Sequence, residues 1–172
     1  APSPLETRGV IGDYDPAGDF LTVWGSTQAP HQVKRYLAQI LEFPEEAIRV
    51  VAPDVGGSFG IKDCLLPEDV LIPFLSLRLQ KPVKWIEDRQ ENLLTYHGRG
   101  MSLAMEAAVK NDGTFLGIRV SIVADLGAYF YFTSPFPLFN AARRITGPYQ
   151  VPAVHAKLLG VITNKTPTAA YR

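Results

Sequence analysis

Residues Gly100–Asp125 read GMSLAMEAAVKNDGTFLGIRVSIVAD. Met101, Leu103, Met105, Ala107 and Val109 fall on every second position, and so do Ile118, Val120, Ile122 and Ala124. A period of two marks a strand with one covered face. Between the two runs stands Asn111-Asp112-Gly113, whose glycine accepts the positive φ of a tight turn. The stretch predicts a long antiparallel hairpin.

Upstream, GVIGDYD and FLTVWGST flank the turn Asp15-Pro16-Ala17-Gly18-Asp19 and predict a second hairpin. APHQVKRYLAQILEF carries Val33, Tyr36, Leu37, Ile40 and Leu41 at helical spacing, and Pro30 suits a first helical turn. IRVVAP has a near-continuous apolar character, which predicts a central strand. PEDVLIPFLSLRLQ predicts a helix that starts near Pro67 and is kinked or divided at Pro73. PVKWIED reads as a short strand, and AVHAKLLGVITN as a closing one. The aromatic, proline-rich run Gly127–Tyr149 predicts a long ordered loop with one helical turn. Adjacent hairpins mixed with helices predict an α+β fold. The expectation is a mixed β-sheet with long hairpins and two or three helices, in a single domain over residues 1–172.

Seventeen basic and seventeen acidic side chains balance, so no global field draws the chain to nucleic acid or to an anionic membrane. No apolar run approaches the roughly 20 residues of a membrane helix. The single cysteine, Cys64, excludes an internal disulfide and a Cys-rich zinc or iron–sulfur site within this chain. A lone thiol fits a reducing cytoplasm. The start, APSPLETRG, shows no signal-peptide pattern. The chain opens without methionine and stops at TNKTPTAAYR, and so reads as a piece of a longer protein.

The chemistry centres on VAPDVGGSFGIKD, residues 51–63, where Gly56, Gly57 and Gly60 surround Ser58 and Phe59. A Walker loop is excluded, because Lys62 is not adjacent to Gly60 and Asp63 stands in place of a hydroxyl residue. The spacing also fails the dinucleotide fingerprint. A strand that ends in glycines nevertheless leaves backbone N–H groups free to face an anionic or oxo-bearing ligand. A plain strand-to-helix turn is the competing reading.

Five motifs occur in order: GSTQAPH, VAPDVGGSFGIK, PVKWIEDRQENL, ADLGAY and TNKTPTAAYR. With PLETRG near the start, the chain resembles, over essentially all its length, the molybdenum-binding large subunit of the xanthine oxidase family of molybdenum hydroxylases. Within it the likeness is greatest to aerobic carbon monoxide dehydrogenase and bacterial aldehyde oxidase large subunits. The resemblance implies that this is the N-terminal part of a molybdopterin-binding domain. The cofactor implied is a molybdenum–molybdopterin, in its cytosine dinucleotide form. Iron–sulfur clusters and FAD are implied on other subunits or domains. The expected partners are those subunits, the remainder of the large subunit and a small-molecule substrate.

The same resemblance assigns Gly56, Gly57, Ser58, Phe59 and Gly60 to the loop against the molybdenum end of the cofactor. Ser58 stands where many relatives have a third consecutive glycine. Gln28 matches a glutamine that hydrogen-bonds an oxygen on molybdenum, a task suited to an uncharged donor. Arg172 matches an arginine beside the cofactor, able to fork onto oxo or phosphate oxygens. No metal ligand is expected in this chain. The family's oxidative hydroxylation, with oxygen derived from water, needs a general-base glutamate that lies downstream. No catalytic residue is therefore expected here, and the isolated chain is expected to be inactive. The alternative reading is a folded structural fragment that binds no cofactor in isolation. A nucleotide-binding module stands behind both.

Several residues invite a role that their context does not support. His31, His97 and His155 lack metal-ligand spacing and read as solvated or locally bonded. Cys64 reads as a small buried side chain, EDRQEN as a solvated face or helical turn, and YFYFTSPFPLF as a covering loop. Asp63 lies near a substrate-binding position of the xanthine oxidases but is shorter than the glutamate found there.

Overall fold

The two hairpins form where the alternation places them. The computed structural model describes residues 2–63, 65–95, 97–130 and 133–168. The chain divides into two compact units, Ala1–Thr95 and Tyr96–Tyr171.

In the first unit, β1 (Gly9–Asp15) pairs antiparallel with β2 (Phe20–Gly25), with Tyr14 opposite Leu21. Helix α1 (Pro30–Leu41) follows, with Pro30 in its first turn, and returns the chain to β3 (Ile48–Val51), which runs parallel to β2. Helix α2 (Pro67–Leu79) leads to β4 (Val83–Ile86) and then to α3 (Arg89–Thr95). The sheet order is β3-β2-β1-β4, so IRVVAP forms an edge strand, not the central one expected. Only Ile48 of β3 enters the core, beside Val33 and Leu37 of α1, while Val50 and Val51 stay half-buried. The apolar run thus reflects a helix packed over one face, not cover on both sides.

Val10, Leu21, Val23, Val33, Leu37, Ile48 and Ile72 form this core, each contributing about 1.5–3 kcal/mol on burial. Helix α2 runs undivided through Pro73, contrary to the division considered above. Pro73 lies against β1 at its closest approach: a Cβ on Gly12 would sit 2.8 Å from Pro73 Cα and 3.2 Å from the Ile72 carbonyl oxygen. Packing against the sheet offsets the hydrogen bond that proline removes. Gly12→Val is therefore expected to force backbone from backbone and destabilise the unit by about 1–3 kcal/mol. A urea titration followed by tryptophan fluorescence would check this, since Trp24 and Trp85 both belong to this unit. An unchanged midpoint would refute the close-packing account.

In the second unit, β5 (Met101–Val109) pairs antiparallel with β6 (Phe115–Gly127), with Leu103 opposite Ile122. The covered face the alternation predicts is met in β6, whereas Leu103, Met105 and Val109 of β5 stay about half exposed. Gly113 makes the turn at φ 89°. Helix α4 (Phe136–Arg143) lays Leu138 on Val120, Ile122 and Ala124. β7 (Val154–Ile162) adds parallel to β6, giving the order β5-β6-β7.

The α+β class holds, with the strands divided between two mixed sheets. Four α-helices occur among the described residues, against the two or three expected. The two short ones, α3 and α4, arise in the charged stretch and in the aromatic, proline-rich run, where no more than a helical turn was expected. Among the described residues no helix is long and apolar enough to cross a membrane.

Candidate functional site

The segment between β3 and α2 carries the glycine turn. Gly57 has φ 103°, Phe59 φ 53° and Gly60 φ 95°, so three of four consecutive residues are left-handed. Ser58 is the exception. The place where serine stands for glycine therefore makes no demand that only glycine meets. The unusual residue is Phe59, which holds a conformation costing about 1–3 kcal/mol for a side-chain-bearing residue and keeps its ring 56% exposed. Among the described residues, the N–H groups of Gly57, Ser58, Phe59 and Gly60 reach no acceptor, while Ile61 N–H donates to the Ser58 carbonyl at 3.2 Å. A left-handed turn with unengaged N–H groups is a concavity suited to oxygen atoms.

The loop is lashed down by Glu6 and Lys62. Glu6 N–H donates to the Gly56 carbonyl at 3.1 Å, and Gly56 N–H returns a bond to Glu6 Oε2 at 2.9 Å. A Cβ on Gly56 would lie 2.6 Å from Glu6 Cβ, so this glycine makes room for the PLETRG segment. Lys62, whose side chain is fully buried, places Nζ 2.6 Å from the same Glu6 oxygen. Burial pushes the Glu6 carboxyl up, but the Lys62 ammonium and Gly56 N–H outweigh it and hold the group below its ordinary value. The sequence offered Lys62 only as a lysine misplaced for a phosphate loop. Its pairing with Glu6 crosses 56 positions and has no local signal.

Gln28 reaches this loop from the end of β2. Its N–H donates to the Lys62 carbonyl at 3.0 Å, and the neighbouring Thr27 hydroxyl donates to that carbonyl at 3.2 Å. The Ser58 hydroxyl donates to Gln28 Oε1. The fold thus brings Gln28 and the glycine loop together. Asp63, half-buried nearby in sequence, has its carboxyl pushed up by burial. Arg172 and Cys64 lie outside the described residues.

In the second unit, Asp125 gathers the segment that precedes the C-terminal AAYR. Asp125 Oδ1 accepts the Thr163 hydroxyl at 2.5 Å and Gly127 N–H at 2.9 Å, and Lys165 Nζ stands 3.1 Å from Oδ2 as an ion pair without hydrogen-bond alignment. The Thr163 hydroxyl leads the causes that hold this carboxyl down at about 2; burial opposes it, and Gly127 and Lys165 assist. Thr168 donates its hydroxyl to the Asp125 carbonyl at 2.7 Å. That hydroxyl has one hydrogen, so it accepts from His97 Nε2 at 3.1 Å. His97 is thus locally bonded, as its isolation in the sequence implied. Among the described residues no group of three or more His, Cys, Asp or Glu side chains could hold a metal ion.

A left-handed glycine turn with open N–H groups, flanked by an uncharged amide, defines a domain equipped to cradle an oxygen-rich ligand. The chain belongs to the molybdopterin cofactor-binding domain family, whose model matches residues 1–172. It is 40% identical over 176 residues to the nicotine 6-hydroxylase large subunit of Paenarthrobacter nicotinovorans, covering 100% of this chain and 22% of that one. It is 41% identical over 177 residues to the carbon monoxide dehydrogenase large chain of Hydrogenophaga pseudoflava, covering 99% and 22%. The crystal structure of quinoline 2-oxidoreductase from Pseudomonas putida 86 superposes with a TM-score of 0.93 at 41% identity, covering 98% of this chain and 22% of that chain. The chain thus spans about a fifth of the length of these relatives.

Proposed function

We propose that this chain is the N-terminal part of the molybdopterin-binding domain of a longer oxidoreductase subunit. The parent protein hydroxylates an aldehyde, a heterocycle or carbon monoxide. Relatives named for nicotine, quinoline and carbon monoxide support that range, and two of the three substrates are nitrogen heterocycles. The cofactor is taken in its cytosine dinucleotide form, iron–sulfur and FAD groups sit on other subunits or domains, and the assembly works in the cytoplasm. Two relatives being a large subunit and a large chain supports a multi-subunit assembly.

The observation that carries this reading is the set of unengaged N–H groups at Gly57–Gly60 beside Gln28. The donor set fits the group. Backbone N–H donors and a neutral amide can receive oxygen atoms without the charge that would make release costly. When bound, the molybdenum–pterin group supplies two-electron oxidation with water as the oxygen source. The chain's own residues bind and orient it. Gly57, Ser58, Phe59 and Gly60 offer N–H groups, Gln28 offers Nε2, Phe59 excludes water and Arg172 adds a forked cation. The general base is supplied by a glutamate outside this chain.

The test is elemental mass spectrometry of the purified full-length protein, with oxidation of nicotine, quinoline, benzaldehyde and carbon monoxide assayed against an artificial acceptor. About one molybdenum per subunit supports the reading; its absence from a folded protein refutes it. In that protein Gln28→Ala is expected to lower turnover by roughly five- to hundredfold, since one unsatisfied contact is worth about 1–3 kcal/mol, while molybdenum content stays near that of the wild type. Complete loss of molybdenum with the fold intact would show that Gln28 is an anchor, not a tuning contact.

A further inference from the structure

We infer that Ser58 is a positioning residue that sets which way the Gln28 amide faces. The inference rests on the reading of Gln28 as a cofactor contact. An amide flipped by half a turn presents an acceptor where a donor is needed, so its orientation decides what it can do. The hydrogen bonds around Ser58 decide it here.

Lys62 N–H donates to Ser58 Oγ at 3.2 Å. The hydroxyl accepts there, and its one hydrogen goes to Gln28 Oε1. With Oε1 engaged, Gln28 turns its Nε2 hydrogens away from Ser58, and among the described residues they meet no acceptor. The backbone of Gln28 is held too, by its N–H bond to the Lys62 carbonyl at 3.0 Å. Lys62 thus supplies both ends of the clamp: its carbonyl holds the Gln28 main chain, and its N–H polarises the hydroxyl that holds the side chain. Buried Nζ bonding to Glu6 keeps Lys62 itself in place.

A glycine at position 58 leaves the amide free to rotate and to waste time in the wrong orientation. Ser58 adds this restraint without disturbing the turn, because it is the one residue of Gly57–Gly60 outside the left-handed region.

The decisive experiment is side-chain 15N relaxation of the Gln28 amide in the deuterated, glutamine-labelled full-length protein, with Gln32 and Gln39 as internal references. The expected result is a rigid Gln28 Nε2 in the wild type, a mobile one in Ser58→Ala, and a rigid one again in Ser58→Thr, which restores the hydroxyl. Equal Gln28 mobility in wild type and Ser58→Ala overturns the inference. In the molybdenum-loaded full-length protein, Ser58→Ala is expected to lower kcat by roughly three- to tenfold at unchanged molybdenum content. It should have no further effect on a Gln28→Ala background. An unchanged kcat in Ser58→Ala alongside a damaged Gln28→Ala overturns the inference and leaves the cofactor reading standing. An unchanged kcat in Gln28→Ala overturns both.

Discussion

Glu87→Ala is expected to destabilise the first unit by about 2–4 kcal/mol, less than a wholly stranded buried charge would cost, because the Arg8 guanidinium keeps its ion pair with Glu68 at 3.1 Å. Arg8 Nε donates to Glu87 Oε1 at 2.9 Å, Arg8 N–H to Oε2 at 3.0 Å, and the two side chains are 6% and 0% exposed. Asn92 Nδ2 donates to Oε2 at 2.9 Å, and the Thr95 hydroxyl stands 3.1 Å from Oε1 and 2.8 Å from the Glu91 carbonyl. One carboxylate therefore ties the residue before β1 to α3, and alanine orphans three donors at once, Arg8 Nε, Arg8 N–H and Asn92 Nδ2, while the Thr95 hydroxyl keeps Glu91. Against a domain stability of about 5–15 kcal/mol this is a large fraction. Tryptophan fluorescence in urea would measure it, with Trp85 reporting directly because the Arg8 guanidinium lies 5.1 Å from its ring. A loss below about 1 kcal/mol would mean that water replaces the carboxylate. The pair Arg8→Met with Glu87→Met should recover part of the stability, since matched apolar side chains need no partner, while the backbone N–H of residue 8 and the Asn92 amide stay without their acceptor.

The same network sets an acid limit. Burial pushes the Glu87 carboxyl up, but hydrogen bonds from Arg8 and its charge, helped by Asn92, hold it below its ordinary value of 4.5. A group depressed on folding contributes its stability above the unfolded value and loses it as pH falls through the folded one. Stability is therefore expected to drop on acidification below about pH 4.5, and to drop less in the double methionine variant.

Gly57→Val and Gly60→Val in the full-length protein are expected to abolish most molybdenum retention while the sheets persist. Both positions have φ near 100°, where a β-branched side chain is strained whatever space surrounds it. At Gly57 a Cβ would also come within 3.2 Å of Pro4 Cβ. A loop that relaxes away from this shape must regain it to bind. A strain of about 1–3 kcal/mol then becomes roughly a five- to hundredfold loss of affinity. Circular dichroism for the fold and elemental analysis for molybdenum would separate the two accounts of this turn. A merely structural turn loses thermal stability without a selective loss of metal. Normal molybdenum and normal activity in both variants would end the cofactor-loop reading.

Much of this was legible in the chain. Helix α2 is legible from Pro67 at its start, and the hairpin at Gly100–Asp125 and helix α1 follow from periods of two and 3.6 that repeat within one element. Those periods are imposed by backbone geometry alone. Family membership was legible too, because motifs such as GSTQAPH and VAPDVGGSFGIK keep their order along the chain, and order survives in a one-dimensional record. Helices α3 and α4 were harder. Each is eight residues or fewer, too short to display a period, and the buried Asn92 of α3, like Glu87 just before the helix, lies inside a charge-rich stretch that reads as solvated surface.

What the tertiary structure alone decided is which faces and charges meet. IRVVAP is apolar in the sequence, but only the sheet order makes it an edge strand. Lys62 and Glu87 look like surface charges until partners 56 and 79 positions away are folded against them. Ser58 looks like a flaw in a glycine loop until Lys62 and Gln28 close around its hydroxyl. The physical reason is common to all three. Local geometry depends on neighbours a few residues apart, whereas burial, ion pairing and the direction of a hydroxyl hydrogen depend on groups brought near only when the whole chain closes.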